Sequence, residues 1–365
     1  MKISMALAVI LIFFSLAFST SAQDSSVVIT ASNINQLQSV AHINFVDWEP
    51  EIGKIENGWF ALNHDASKFA VMNRTGEIII GDDLGQVLDH YAVPGSDNLP
   101  TSVLDLAFRQ NYPAVVSAHS EGGAYYVAYR YYETHQTEYF RFETPDVPLR
   151  IWDTGSAWLE ISPDDYTRSR YVQVLTPANF DGFRVNEVLQ PDAIKELNSG
   201  PENDPDSFLR IGRIEPPFAI TVTQKFLVKR WNLETGLITA TVQLDALPGA
   251  GQLSTDGRYF VWRDGDSKAL HLLDFETGKD RVIAPLQSSY IPYLLLNSSA
   301  SVIIGVNVAS KSIVVAWDTS NGERIELGEY RSCNRQPDMV RLSADSSTLV
   351  IGCDKGIDIW RIPQP

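Results

Sequence analysis

The chain has 365 residues, 44% of them hydrophobic, so a sizeable core can be buried and intrinsic disorder is ruled out. That length suits two or three mid-sized domains or one large closed architecture. Lys and Arg total 29 against 45 Asp and Glu, a formal net charge of −16, which disfavours duplex nucleic acid and anionic membrane surfaces as partners because both want a basic footprint. Two Cys are too few for a disulfide scaffold or a multi-cysteine zinc site.

Residues 1–22 read as a secretory signal peptide. Lys2 gives the positive start, an apolar run from Met5 to Phe18 is interrupted only by Ser15, and Ser19-Thr20-Ser21-Ala22 suits cleavage before Gln23. The run is short of the ~20 residues needed to span a bilayer, so no stable membrane anchor is expected. Cleavage removes one Lys and leaves a mature chain, 23–365, at −17, one below the −16 of the whole. The expected location is extracellular or periplasmic.

Strand-like Leu37-Gln38-Ser39-Val40-Ala41-His42-Ile43 follows, and then the first of several similar units. It begins at Leu62-Asn63-His64-Asp65-Ala66-Ser67 and continues through Phe69 to Met72 and Glu77 to Ile80. Aromatics then crowd Tyr125-Tyr126-Val127-Ala128-Tyr129-Arg130-Tyr131-Tyr132 and Tyr139-Phe140-Arg141-Phe142. Alternation puts Tyr125, Val127, Tyr129 and Tyr131 on one face. Two readings stand for this pair of strands. Either the large residues pack between sheets, or Tyr126, Arg130 and Tyr132 form a recognition surface of the Tyr/Arg kind that dominates interfaces. Asn179-Phe180-Asp181-Gly182-Phe183-Arg184 and the stretch from Pro191 to Pro205 read as long loops, which adds Phe180 and Arg184 to that candidate surface.

The units then recur more clearly. Leu227-Val228-Lys229-Arg230-Trp231-Asn232-Leu233-Glu234-Thr235-Gly236 is one partial copy. Leu253-Ser254-Thr255-Asp256-Gly257-Arg258 leads into Tyr259 to Trp262 and then Ala269 to Gly278. Leu296-Asn297-Ser298-Ser299 leads to Val302-Ile303-Ile304-Gly305 and Ile313 to Asp318. Leu342 to Ser347 leads to Thr348-Leu349-Val350-Ile351-Gly352 and Gly356 to Trp360. The grammar is constant: a short strand, a Ser-x-Asp-Gly-like turn, a β-branched or aromatic strand, a second turn, an alternating strand, and a Thr-Gly turn into a fourth. Asp65 to Asp345 is 280 residues; over six intervals that is about 47 per unit, with middle units expected near Phe108, Ser162 and Phe208.

Four antiparallel strands per unit make one propeller blade. The chain resembles the WD-repeat β-propeller family, especially secreted bacterial-type members, from about Gly212 to Pro363 and around Leu62 to Asp83. Trp-Asp stands at 152–153 and 317–318, with Trp231-Asn232, Leu273-Asp274 and Trp360-Arg361 as variants; the family's Gly-His dipeptide is missing. The resemblance implies an all-β chain with 23–365 as a single β-propeller. Seven four-stranded blades fit best, and six or eight are the alternatives.

The last unit has three strands, about 338–343, 348–352 and 356–361, and then the sequence runs to Pro365. An open outer edge there would template aggregation. Residues 37–43 are therefore expected to supply the fourth strand and close the ring. In that meander Cys333 and Cys353 fall in loops at the same end. A Cys333–Cys353 bridge is the expectation and two separate buried thiols the alternative. Its short loop would contribute about 3 kcal/mol.

No His-Glu-x-x-His, phosphate-loop or Gly-x-Ser-x-Gly motif occurs, and the six His have no metal-ligand spacing. His119-Ser120-Glu121-Gly122-Gly123 has triad residue types without a scaffold to converge them. Asp264-Gly265-Asp266-Ser267 lacks the ligands of a calcium loop. Asn73-Arg74-Thr75 and Asn297-Ser298-Ser299 match the N-glycosylation pattern. No catalytic, cofactor or metal site is read from the sequence. The resemblance implies a non-catalytic platform for a protein partner. The alternatives are a lactonase-like or hydrolytic propeller working through its channel, and a carbohydrate or cell-surface binding module.

Overall fold

A computed structural model describes residues 27–363 except 49, 51–52, 94–101, 110–112, 122–123, 144–148, 152–156, 162–170, 178–182, 187–207, 216–217, 224, 233–236, 266–267, 287–290, 292, 308–312, 331–332, 334–336, 338 and 354. For 56–59, 102, 104, 121, 124–126, 139–215, 223, 250 and 307 it describes the backbone alone. The signal-peptide segment 1–22 and Trp152-Asp153 lie outside the described residues.

The fold is all-β. After a 3₁₀ turn at Ile34–Gln36 comes β1 (Gln38–Asn44), then a second 3₁₀ turn at Phe45–Asp47. The remaining described strands fall into seven four-stranded antiparallel sheets, one of which recruits β1. Sheet I is β2 (Ile55–Leu62), β3 (Lys68–Asn73), β4 (Ile78–Asp82) and β5 (Val87–Tyr91). Sheet II is β6 (Ser102–Phe108), β7 (Ala114–Glu121), β8 (Ala124–Tyr131) and β9 (Gln136–Glu143). Sheet III is β10 (Leu149–Ile151), β11 (Ala157–Ile161), β12 (Tyr171–Pro177) and β13 (Phe183–Asn186). Sheet IV is β14 (Phe208–Glu215), β15 (Phe218–Thr223), β16 (Leu227–Asn232) and β17 (Leu237–Gln243). Sheet V is β18 (Pro248–Leu253), β19 (Tyr259–Asp264), β20 (Ala269–Asp274) and β21 (Lys279–Pro285). Sheet VI is β22 (Tyr293–Leu296), β23 (Val302–Asn307), β24 (Ile313–Asp318) and β25 (Arg324–Glu329). Sheet VII is β26 (Met339–Leu342), β27 (Thr348–Cys353) and β28 (Gly356–Arg361), with β1 outermost.

The first-to-second turns of sheets I, V, VI and VII are built as their residues dictate. Asp345 accepts from the Ser343 hydroxyl (2.6 Å) and the Ser347 amide (3.0 Å), while Ser343 Oγ accepts the Thr348 amide (2.9 Å). Asp256 does the same with Ser254 and Arg258, and Asn63 and Asn297 take the serine's place in the other two. The fourth turn residue is left-handed in all four: Ala66, Gly257, Ala300 and Ser346, with φ of 54°, 69°, 53° and 59°. Only one of them is the glycine that a positive φ favours.

First strands adjoin at six of the seven successions of sheets: β26 beside β2, β2 beside β6, β6 beside β10, and β14, β18, β22 and β26 in turn. Apolar clusters lie between neighbouring sheets instead of in one central core. Val261, Leu270, Leu296, Ile303 and Trp317 fill the gap between V and VI, and Ile80, Met72, Val115 and Ala128 that between I and II. Such face-to-face packing is how sheets with two apolar faces bury both.

The expected closing strand is present. β1 runs antiparallel to β28 from Gln38↔Arg361 to Asn44↔Gly356. Residues 27–37, of which only Leu37 belonged to the expected strand, reinforce it. The Ile29 amide donates to the Ser346 carbonyl (2.9 Å), Asn297 Nδ2 donates to the Ile29 carbonyl (2.9 Å), and Ile29, Ile34 and Leu37 are buried with Val302, Val340 and Trp360. Sheet VII is tied to sheet I by Arg361, whose guanidinium reaches Asp83 (2.8 Å) and the Ala66 carbonyl (3.3 Å). Cys333 and Cys353 form the disulfide, Cα–Cα 5.5 Å, joining the approach to β26 with the end of β27.

Of the expected middle units, the one near Phe108 is in place, since Phe108 ends β6 as Leu62 ends β2. The other two need correcting: the first strands of sheets III and IV end at Ile151 and Glu215, not near Ser162 and Phe208. β10 has only three residues, so sheet III offers no legible inner strand from which to count.

Candidate functional site

The aromatic hairpin β8–β9 sits on the rim of sheet II, and the structure shows what holds it there. Asp89 and Tyr91, two apart on β5, share one face of sheet I. Arg130 on β8 answers both. Its Nε and Nη2 donate to Asp89 Oδ2 and Oδ1 (2.6 and 2.9 Å), and its guanidinium lies 5.5 Å from the centre of the Tyr91 ring. A further nitrogen, Nη1, donates to Thr137 Oγ1 (3.0 Å) and to the His135 carbonyl. His135 is left-handed (φ 57°) and bonds Asp89 through Nδ1 (2.9 Å). Burial alone would push the Asp89 carboxyl up; the hydrogen bonds and charges of Arg130 and His135 outweigh it and hold it below the usual carboxylate value.

Behind this clamp runs a buried polar chain. The Tyr91 hydroxyl donates to Ser117 Oγ (3.0 Å), and Ser117 Oγ stands 2.7 Å from His119 Nε2. Ser117 and His119 are fully buried. Burial drives the Tyr91 phenol far above its ordinary pKa. Ser120, next along β7, points to the opposite face from His119, so those two triad residue types do not converge.

Of the five candidate surface residues, two are described in full, and both are packed. Arg130 keeps 13% of its side chain exposed. Tyr132 is half-buried, edge-on to Phe108 at 6.3 Å, with its phenol raised to about 12 by burial and then by the charges of Glu133 and Asp65. Tyr129 is buried under the Arg109 guanidinium, 5.6 Å away. At these positions packing between sheets is what the structure shows. The Tyr126 and Arg184 side chains and all of Phe180 lie outside the described residues. Asp89 escaped the sequence reading; the one available signal was its i, i+2 spacing from Tyr91 on a short alternating strand.

Both glycosylation-pattern asparagines are turn residues instead of acceptors in waiting. Asn73 Nδ2 donates to Glu77 (2.7 Å) and its Oδ1 accepts the Thr75 and Glu77 amides. Asn297 is fully buried. Among the described residues no three His, Cys, Asp or Glu side chains gather as a metal site, and no helix is long and apolar enough to cross a membrane. Neither a family model nor a curated protein matches the chain.

Proposed function

We infer that the seven sheets are the blades of one WD-repeat-like β-propeller, closed by β1, and that the exported protein is a non-catalytic platform for a protein partner. The observation that carries the wheel is the side-by-side order of the first strands, together with the first strand of the chain completing the sheet made by the last three. Strands stacked radially in this way make a stiff body whose work falls to its rim and loops. Arg130 is consumed in holding sheets I and II together, so the recognition surface shifts outward, to the rim. Export fits the disulfide, which persists in oxidising compartments.

The mature chain, 23–365, immobilised at micromolar density, is expected to capture a specific protein from the source secretome. Repeatedly empty captures count against the platform. Small-angle scattering should give the profile of one flat disc, and a two-lobed profile would overturn the wheel. Sequencing of the exported protein should begin at Gln23.

A further inference from the structure

Five of the seven sheets blunt their outer edge by the same device. Where the fourth strand pairs with the third, the outer strand carries one extra residue: Val40 in β1, Leu88 in β5, Thr239 in β17, Ile283 in β21 and Leu327 in β25. A bulge kinks the strand and turns its open row of N–H and C=O groups away from an incoming chain. The outer strand of sheet III has no bulge but is only four residues long, Phe183–Asn186, and shortness is another known way to blunt an edge.

β9 has neither protection. It pairs with β8 over eight successive residues, from Ala124↔Glu143 to Tyr131↔Gln136, with no shift in register. Its sequence, Gln-Thr-Glu-Tyr-Phe-Arg-Phe-Glu, contains no proline. Among the described residues no strand pairs with its outer side. Its first turn is also fixed in place, because Arg130 holds Thr137 and the His135 carbonyl while itself bound to Asp89. A long, straight, pre-ordered edge is what strand addition requires.

We propose that the outer edge of β9 docks an extended segment of a basic partner protein, which joins sheet II as a fifth strand. The assignment rests on the platform reading and names where and how that platform binds. Glu138 is exposed on this strand, and the chain carries −16 overall, so Lys or Arg on the incoming strand is favoured. A second copy of β9 is a poor occupant. A two-fold axis normal to the sheet pairs only residues of like parity, so Glu138 never lies opposite Arg141. The registers of greatest overlap, centred on Tyr139 or Phe140, set Glu138 opposite Phe140 or Phe142 and give it no opposite charge, whereas a basic strand supplies one.

The probe is a phage-displayed library of random octapeptides selected on the mature chain. Enriched peptides are expected to alternate β-branched residues with Lys or Arg. A synthetic copy of one should slow hydrogen exchange within 136–143. One Gly inserted between Tyr139 and Phe140 gives β9 the bulge its five counterparts carry, and should weaken that peptide at least tenfold without moving the thermal midpoint. Glu138→Lys, an exposed change that leaves the fold alone, should weaken it about threefold, and it keeps the test decisive if the insertion unfolds. The proposal is overturned if no peptide is enriched, if the slowed amides lie elsewhere, or if both variants bind like the parent. Protection of β9 that rises with protein concentration in the absence of peptide would replace the basic partner by a second copy. Capture of a secretome partner equally by parent and insertion variant would sink the β9 assignment alone, whereas no capture by either would sink the platform.

Discussion

Arg130→Ala separates the two readings of the aromatic hairpin, because a clamp and a recognition residue differ in what their removal does to stability. The side chains of Arg130 and Asp89 are 13% and 5% exposed. Breaking a fully buried pair by deleting one partner costs about 3–5 kcal/mol. Here the pair reaches the rim and His135 still donates to Asp89, which lowers the figure to roughly 2–3 kcal/mol by the same scale. Loss of the guanidinium over Tyr91 adds about 0.5–1 kcal/mol. Arg130→Ala should therefore cost about 3 kcal/mol, and Asp89→Asn about 2 kcal/mol, since two charge-assisted hydrogen bonds weaken. Because the partners touch, the double variant should fall short of additivity by about 1.5 kcal/mol or more. His135→Ala, with an imidazole 62% exposed, should cost no more than about 0.5 kcal/mol. Urea unfolding at pH 7, followed by tryptophan fluorescence and read from the midpoint at constant m, measures all four. If Arg130→Ala unfolds within about 0.5 kcal/mol of the parent, the clamp is energetically idle and Arg130 returns to the recognition surface.

Three further outcomes follow from the geometry. Gly257→Ala puts a Cβ at φ 69° and 2.2 Å from Phe218 Cδ2, whereas Gly278→Ala at φ 66° meets nothing within 4 Å; thermal unfolding should show losses of about 2–4 and about 1 kcal/mol respectively. Thiol titration of the unreduced, denatured protein should find no free thiol, and Cys333→Ser with Cys353→Ser should lose about 3 kcal/mol. Acid should weaken the fold through carboxylates held below their ordinary value, Asp89 among them with Asp65 and Asp274. Their stabilisation is complete above the unfolded value of about 3.9 and vanishes as pH falls through the lower folded values. Urea midpoints should thus be level from pH 7 to about 5 and fall below about 4, and Asp89→Asn should flatten that fall.

How much of this was legible depended on how local the cause was. The Ser-x-Asp turns were readable because Asp256 and Asp345 bond residues within two positions. The closing strand was readable although its partner is remote in sequence, because three strands and a missing fourth pose an edge problem and 37–43 was a strand-like segment with no sheet of its own. The count through sheet III slipped because β10 is only three residues long. Three left-handed turn residues were invisible because Ala66, Ala300 and Ser346 hold a conformation their side chains do not advertise. The clamp was invisible because Arg130 finds Asp89 across 41 positions and a sheet boundary. The strap at 27–37 hid its three apolar anchors, Ile29, Ile34 and Leu37, among Ser, Thr and Asn at spacings that match neither strand nor helix.

Sheet VII carries more than its share of the fold's integrity, and the reason is chain order. Every other sheet is a local meander whose four strands are neighbours in sequence, so loop closure costs little entropy. Sheet VII must bring residue 44 to residue 356, across the length of the other six sheets. That cost is met by unusually varied contacts. The strap buries Ile29, Ile34 and Leu37 beside Trp360, His42 bonds the buried Asp358 (2.8 Å), and Arg361 reaches across to sheet I. The disulfide then fixes the two ends of the approach to β26 and the end of β27, so β28 presents β1 with a fixed edge. Loss of β1 would uncover that edge and the apolar seams on both sides at once. Unfolding is thus expected to begin at this sheet and to spread in both directions, which places the weakest joint opposite in kind to the local hairpins and not in any of them.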